Sequence, residues 1–136
     1  MDNAALIDAM VIHCIATALW SSSGDDDEFL DAHYDRDDLA EATLKMFEED
    51  CAKFFEANKA DILCEDAPLA KDFEGPIAER KVAMAGHDFW LTRCGHGAGF
   101  WDGDWPDEVG KRLTDASKGF GNVDLYVGDD GLIYAG

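Results

Sequence analysis

Two histidines, two aspartates and an arginine lie close together in the second half of this 136-residue chain. His87 is followed directly by Asp88, and Arg93, His96 and Asp102 come after them. Imidazole and carboxylate groups in one place can exchange protons near neutral pH, which is the chemistry of general acid–base catalysis. These residues are therefore the candidate active site of a small enzyme, or the candidate binding site of a ligand-binding protein.

The same residue types also have ordinary structural uses. His87 and Arg93 can cap the ends of strands, and Asp88 and Asp102 can accept hydrogen bonds from the amides of turns. No catalytic template matches the group closely enough to name a reaction. We therefore expect no catalytic activity, and the enzyme or ligand-binding protein stays as an alternative.

The four cysteines form no metal-binding or redox motif. Cys14, Cys51, Cys64 and Cys94 make no Cys-x-x-Cys pair, and no histidine lies at a zinc-finger spacing from them. Cys94 lies two residues from His96, but the spacing fixes no third residue that would orient such a thiol–imidazole pair. We expect free thiols in a reducing cytoplasm, with neither a metal nor a cofactor.

Charge is the strongest signal in the composition. The chain carries 30 acidic and 11 basic residues, which gives a formal net charge of −19 at pH 7. Residues 25–79 contain 19 acids and 5 bases, so this segment has a net charge of −14 and the rest of the chain only −5. Negative charge concentrated in this way indicates a field directed at a basic partner, beyond what solubility requires.

We expect acids of the connector at residues 25–38, and of one face of the helix after it, to contact that partner. These acids are Asp25, Asp26, Asp27, Glu28, Asp31, Asp35, Asp37, Asp38, Glu41, Glu48, Glu49 and Glu56. Helix residues three or four apart stand about 5–6 Å from each other, comparable to the phosphates of a nucleic-acid strand. The connector is not a calcium loop, because Phe29, Leu30 and Arg36 occupy positions that need an oxygen ligand, a glycine and a glutamate. A solvated helix without a partner is the alternative interpretation.

Two helices should make up the N-terminal part, residues 1–60. From a plausible N-cap at Asp2, apolar residues recur at helical spacing and predict a core helix. A second apolar stripe at about residues 37–58 predicts a helix with one buried and one acidic face. Residues 61–86 are predicted as a second connector, separate from the acidic one at residues 25–38. Within it, residues 77–85 suit either a short helix or the approach to a strand.

Strand and turn residues dominate the last part, residues 87–136. Residues 89–92 and 100–101 are predicted as two short strands joined by a glycine-rich turn. A helix should begin at residues 104–108 and end before a glycine. Residues 123–134 should form a hairpin around an Asp-Asp-Gly turn. This order of elements is a ββαββ-like arrangement.

Together these elements predict a single α+β domain, residues 1–136. Two N-terminal helices would pack on a small, mainly antiparallel sheet, with one further helix. Antiparallel pairing follows because the short links join neighbouring strands, which parallel pairing cannot use.

No targeting segment is predicted at the N-terminus. Asp2 and Asp8 stand where a signal peptide would need lysine or arginine, and the apolar run at residues 9–20 is too short to span a bilayer. We expect a soluble cytoplasmic protein that contacts no membrane.

Aromatic residues offer a further interpretation, a docking surface for another protein. Trp90, Phe100, Trp101 and Trp105 lie close in sequence and would form a patch if partly exposed. Tryptophan and arginine are common anchors of protein interfaces.

A longer pattern around the histidines resembles a known family. The residues are Ala-Gly-His-Asp-Phe-Trp-Leu-Thr-Arg-Cys-Gly-His-Gly-Ala-Gly-Phe-Trp-Asp at 85–102, Leu-Thr at 113–114, and Asp-Leu-Tyr-Val-Gly-Asp-Asp-Gly at 124–131. They are similar to small acidic proteins of bacteriophages and other mobile elements, a family of uncharacterised function. The resemblance implies a phage context and supplies no catalytic residues. Cys94 departs from the pattern, which has a polar residue such as asparagine there.

Small acidic phage proteins commonly resemble inhibitors that occupy the nucleic-acid grooves of host defence enzymes. That resemblance and the polarised charge predict a nucleic-acid mimic that inhibits a restriction or CRISPR nuclease complex in the bacterial cytoplasm. The partner would be a basic nucleic-acid-binding host protein or complex, and the chain would not bind nucleic acid itself. The alternatives are the enzyme or ligand-binding protein, and an accessory phage protein whose acidity only maintains solubility. The sequence leaves the oligomeric state open.

Overall fold

The computed structural model of this chain describes residues 2–23, 28–71, 74–95 and 98–136. Its elements in order are α1 (Asn3–Ser21), two short 3-10 turns (Leu30–Ala32 and Arg36–Asp38), α2 (Glu41–Ile62), α3 (Ile77–Cys94), α4 (Asp107–Lys118), β1 (Leu125–Val127) and β2 (Ile133–Ala135). Within the described residues, β1 and β2 form the only sheet, and they pair antiparallel. The fold is therefore mainly helical.

Helix α1 is the predicted core helix, and the predicted cap is present. A side-chain oxygen of Asp2 accepts a hydrogen bond of 2.9 Å from the amide of Ala5. Ten of the 19 residues of α1 are buried. By length and apolar composition, the whole of α1 also suits a membrane span or a signal sequence. The sequence-based expectation considered only the apolar run at residues 9–20, which is too short to span a bilayer. Burial of 56% of that span inside the fold accounts for its composition equally well.

Helix α2 begins at Glu41, later than the apolar stripe predicts. Residues 36–38 instead form a 3-10 turn closed by a capping box. In this box Asp35 accepts a hydrogen bond from the amide of Asp37, and Asp38 accepts one from the amide of Asp35, both at 2.9 Å. The chain then bridges to Ile133 of β2. The connector is thus held to the hairpin before α2 starts.

The strand predicted at residues 89–92 is wrong, because these residues belong to α3. The buried positions of α3 follow helical spacing; they include Val82, Ala85, Gly86, Phe89, Trp90 and Arg93. A helix brings positions three and four apart to one face, whereas a strand would place Phe89 and Trp90 on opposite faces. Residues 77–85, compatible with helix or strand from sequence, are helical.

Gly95, predicted to lie in the turn between two strands, ends helix α3 instead. Gly95 is the C-cap of α3, with φ of 73° in the left-handed region. Glycine adopts this conformation without steric cost, and it is the usual residue after a helix.

The predicted α+β fold, in which two N-terminal helices pack on a small, mainly antiparallel sheet with one further helix, is therefore wrong. Residues 100–101, the second predicted strand, lie in a turn. The ββαββ-like arrangement expected for residues 87–136 is, in the part described, the end of α3, a turn, α4 and one hairpin. The aromatic and β-branched residues that favour strands locally are used here on helices, where burial outweighs local preference.

Two predicted elements of the C-terminal part are confirmed. Helix α4 buries Leu113 and ends before Gly121. Strands β1 and β2 pair with Tyr126 opposite Tyr134, and Gly131 in the turn between them has φ of 81°. The Asp-Asp-Gly signal therefore identified the hairpin correctly.

An aromatic cluster joins α2 and α3 to the chain on both sides of α4. The ring of Phe54 lies 4.2 Å from that of Phe89 and 5.6 Å from that of Phe100. Phe120 meets Phe89 edge-on at 5.2 Å, and the guanidinium of Arg93 lies over both of these rings. Each such aromatic pair adds about 0.5–1.5 kcal/mol beyond the area that it buries.

Helices α1 and α3 make the largest helix–helix contact, and Gly86 permits it. A Cβ atom at Gly86 would lie 2.6 Å from the carbonyl oxygen of Met10 and 3.1 Å from the amide nitrogen of Cys14. A Cβ atom does not approach a carbonyl oxygen as closely as 2.6 Å. The two helices therefore touch backbone to backbone at this point.

An ion pair links the end of α2 to α4. The backbone leaves helical geometry at Asn58, yet α2 continues to Ile62, which places Asp61 beside Arg112. The guanidinium donates hydrogen bonds of 2.8 and 2.9 Å to the two carboxylate oxygens. These bonds lower the pKa of Asp61 and raise the pKa of Arg112.

We expect Gly86→Ala to lower the free energy of unfolding by about 1–3 kcal/mol, because the added methyl group forces α1 and α3 apart. The gain in helix propensity, up to about 1 kcal/mol, does not offset this. Urea denaturation measures the change. Gly119→Ala is the control, since its Cβ would meet no atom closer than 3.3 Å. Equal losses in the two variants would contradict the close contact.

We expect the Asp61 pair to stabilise the fold at neutral pH and not in acid. The pKa of Asp61 in the folded chain lies below its ordinary 3.8, so the stabilisation is complete above that value and is lost as the pH falls through the lowered pKa. Asp61→Asn should therefore be less stable than the original chain at pH 7, with the difference shrinking below pH 4. Asp31→Asn, at an exposed acid, should show no such difference.

Candidate functional site

Most of the acids expected to contact a partner lie on the surface. The structure describes nine of the twelve, since Asp25, Asp26 and Asp27 lie outside the described residues. Eight of the nine are exposed, and Asp38 is half-buried. An exposed carboxylate keeps its hydration and its charge, so these side chains contribute to a negative field around the molecule.

Few of these carboxylates have a cationic neighbour. Glu49 lies 3.9 Å from Lys45 one helical turn away, and Glu28 lies against His33. For the seven others, no ion pair with lysine or arginine occurs in the part of the chain that the structure describes. The negative charge of this surface is therefore largely uncompensated.

The densest charge belongs to the connector. Its described residues, 28–38, contain five acids and a single arginine. Asp31 and Asp35 line a groove of about 460 Å³ beside α1, together with Arg36 and the exposed Ile12. The hydrogen bonds of the capping box hold Asp35 and its partner carboxylate in fixed positions. This part of the surface is both charged and ordered.

The outer face of α2 is less acidic than the sequence pattern implies. Glu41, Glu48, Glu49 and Glu56 are exposed there, but the same helix also exposes Lys45, Lys53 and Lys59. Other acids of α2 hold the fold together. Asp50 binds the buried Arg93 at 3.1 Å, and Asp61 binds α4. These two pairings connect distant parts of the chain, so no local pattern reveals them.

The structure brings two residues of the candidate active site together in α3. The Nδ1 atom of His87 and an oxygen of Asp88 lie 2.9 Å apart. Asp88 is buried, and its other oxygen accepts a hydrogen bond of 2.7 Å from the indole Nε1 of Trp105. Successive helix positions point in different directions, so Asp88 faces the core while His87 stays about one-third exposed. A buried carboxylate that orients an imidazole is an arrangement common to acid–base and ligand-binding sites.

The other members of the group have structural partners or lie outside the description. Arg93 is buried; it binds Asp50 and donates to the carbonyl oxygens of Phe120 and Gly121 at 3.2 Å. Asp102 accepts a hydrogen bond of 3.3 Å from the amide of Gly99. His96 lies outside the described residues. The strand ends that His87 and Arg93 were expected to cap do not occur among the described residues, whereas Asp102 accepts from a turn amide as expected.

A pocket that the sequence did not reveal adjoins His87. It has a volume of about 720 Å³, and its lining includes Trp20 of α1, Lys71, and Arg80 and Met84 of α3. The rings of Trp20 and His87 lie 5.8 Å apart. The pocket depends on the packing of α1 against α3, which joins residues more than sixty positions apart. We call it the Trp20 pocket.

The aromatic patch expected as a docking surface is mostly core. Trp90, Phe100 and Trp105 are each buried, and only Trp101 of the four is exposed. The Nε1 of Trp90 donates to the hydroxyl of Ser21, which satisfies the polar atom of this buried ring. These aromatic residues therefore do not form a continuous surface.

The cysteines are free thiols in the structure, two buried and two half-buried. The pKa of the Cys51 thiol is raised, mainly by a hydrogen bond with Cys14 and to a smaller extent by burial, so this thiol resists ionisation. No group of three or more potential metal ligands occurs among residues 2–23, 28–71, 74–95 and 98–136.

We expect Trp105→Phe to destabilise the fold by about 1–3 kcal/mol, because it leaves an oxygen of the buried Asp88 without its donor. Thermal or urea denaturation measures the loss. Trp101→Phe is the matched control, since this side chain is 54% exposed, and its stability should stay within about 0.5 kcal/mol of the original. If both variants lose the same amount, the hydrogen bond to Asp88 is not what stabilises this region.

Comparison with known proteins adds no family to this picture. No protein-family model matches the chain, no curated protein matches it, and no solved structure matches its fold. The resemblance to small acidic phage proteins therefore stays a prediction.

Proposed function

We propose that this chain is an acidic inhibitor of a host defence nuclease complex, of the restriction or CRISPR type, and that it acts by nucleic-acid mimicry. One observation carries the proposal: Asp31, Asp35 and Asp37 of the connector are exposed, and none of them forms an ion pair with lysine or arginine in the described part of the chain. Nuclease complexes bind nucleic acid through grooves lined with lysine and arginine. An ordered surface of uncompensated carboxylates is complementary to such a groove.

The arrangement of the connector favours recognition over solubility alone. Its 3-10 turn is closed by the capping box, and the chain that follows bridges to Ile133 of β2. Carboxylates fixed in advance lose little conformational entropy when a partner binds them. Acids that only maintain solubility need no fixed position.

The acids of α2 would extend this surface with lower charge density. Three lysines are exposed among them, so we assign the main part of the binding energy to the connector. The expected contact surface is therefore smaller than the whole acidic segment, residues 25–79.

The enzyme or ligand-binding alternative has one observation in its favour, the His87–Asp88 pair beside the Trp20 pocket. Of the other members of the group, Arg93 and Asp102 are bound to structural partners, and His96 lies outside the described residues. We therefore propose no reaction for this chain.

The test is inhibition of purified restriction and CRISPR effector complexes, measured by DNA binding and cleavage. We expect competition with DNA, and inhibition that weakens steeply with salt, as the Debye length falls from about 10 Å at 0.1 M to about 3 Å at 1 M. A ternary complex, in which the target holds the chain and DNA together, would refute mimicry. So would the absence of inhibition across both classes of nuclease.

Charge reversal locates the contact. Asp31→Lys, Asp37→Lys and Glu48→Lys change three exposed acids, and no side-chain hydrogen bond that holds the fold is lost with them. The triple variant should lose inhibition and keep or gain stability, because self-repulsion decreases.

The matched control reverses three exposed acids of the C-terminal part, Asp115, Asp124 and Asp129. It has the same net charge as the first triple variant. We expect the control to inhibit like the original chain at moderate salt. Equal loss in both variants would mean that total charge, and not the connector surface, determines binding.

A further inference from the structure

The Trp20 pocket has the size of a small-molecule site. Its volume of about 720 Å³ lies within the range of pockets that bind drug-sized ligands. A smaller cavity of about 120 Å³ adjoins it and shares Trp20, Met84 and His87 with it. The proposed inhibitory surface does not use either cavity.

Two cations line this pocket. Lys71 and Arg80 form no ion pair with a carboxylate in the described part of the chain. Asp104 is the one acid among the described residues that line the pocket. The local charge of the lining is therefore positive, in contrast to the molecule as a whole.

Arg80 is held in place and still has unused donors. Its Nε donates a hydrogen bond of 2.8 Å to the carbonyl oxygen of Ala70, and the amide of Ala70 donates to the carbonyl oxygen of Arg80 at 3.1 Å. Its two terminal nitrogens make no hydrogen bond to another described residue. A guanidinium anchored in this way is suited to bind a carboxylate or a phosphate.

The remaining walls are apolar and partly aromatic. The ring of Trp20 is 43% exposed, and Pro68, Leu69 and Met84 complete this side. An indole ring offers a flat surface on which another aromatic ring can stack. The lining thus combines a flat apolar surface with two cations.

The pocket is also formed in advance. The segment at residues 68–71 is held to α3 by the two hydrogen bonds between Ala70 and Arg80. Nearby, the Nζ of Lys81 donates to the carbonyl oxygen of Cys64 at 2.7 Å. A wall that is already ordered adds little to the entropy cost of binding.

The net charge of the chain opposes the entry of an anion only weakly. At physiological ionic strength the Debye length is about 8 Å, so acids that lie farther than this from the pocket are largely screened there. The cations that line it act at contact distance, where screening is small.

We propose that the Trp20 pocket binds a small organic anion with a flat aromatic ring, of the aromatic carboxylate class. The ring lies against Trp20, and the carboxylate is bound by Lys71 and Arg80. This inference is independent of the proposed inhibitory role.

The test uses the full chain, labelled with nitrogen-15, and 1-naphthoate as the probe. Titration to about 5 mM, enough for a weak ligand, should give saturable shifts of the Trp20 indole N–H and of the amides of residues 69–71, 80 and 84. 1-Naphthamide, the uncharged analogue, should bind at least about tenfold more weakly. Inorganic phosphate alone should bind at least about tenfold more weakly than 1-naphthoate, because it has no ring to stack on Trp20.

Two variants and one control test the charge contact at Lys71 and the ring contact at Trp20. Lys71→Met and Trp20→Ala should each weaken 1-naphthoate binding at least about fivefold, with the fold intact by circular dichroism. Lys118→Met, at an exposed lysine of α4, should leave binding unchanged. Three results would overturn the proposal: no saturable shift, equal binding of the amide, or shifts that map to residues outside this pocket.

Discussion

The backbone contact between α1 and α3 at Gly86 is the constraint on which the rest of this structure depends. Because the helices meet without an intervening side chain, α3 sits deep in the molecule and is buried on several sides. Phe89 then reaches the aromatic cluster of α2, and Asp88 reaches Trp105 beside α4. The same approach brings Trp20 next to His87, which forms one wall of the pocket. One small residue thus sets both the core and the pocket.

Charge is distributed by a simple rule in the described part of this molecule. The charged groups that are buried, Asp88 and Arg93, have partners, as the cost of burying an unpaired charge requires. Almost all other acids remain on the surface, where water and salt screen them. Self-repulsion from a net charge of −19 is then tolerated because the core is continuous from α1 to β2.

Sequence patterns identified the elements whose signals are local. The cap at Asp2, the periodicity of α4 and the Asp-Asp-Gly turn each lie within a few residues, and each was predicted correctly. Helix α3 was missed because Phe89 and its neighbours favour strands, although the helical spacing from Val82 to Arg93 was present in the sequence. The Trp20 pocket could not be predicted, since it requires the packing of α1 against α3. For the same reason the pairings of Asp50 and Asp61 were invisible.

Arg93 shows why the residues around the histidines should be tested with care. Sequence alone grouped it with a candidate active site, yet its guanidinium binds Asp50, covers two aromatic rings and donates to the carbonyl oxygens that follow α4. Those carbonyl groups lie just beyond the end of α4, and the buried guanidinium supplies them with donors. Loss of Arg93 would therefore disturb α2, α3 and α4 together. A variant of this region that loses a biological activity identifies a functional group only if its free energy of unfolding is unchanged.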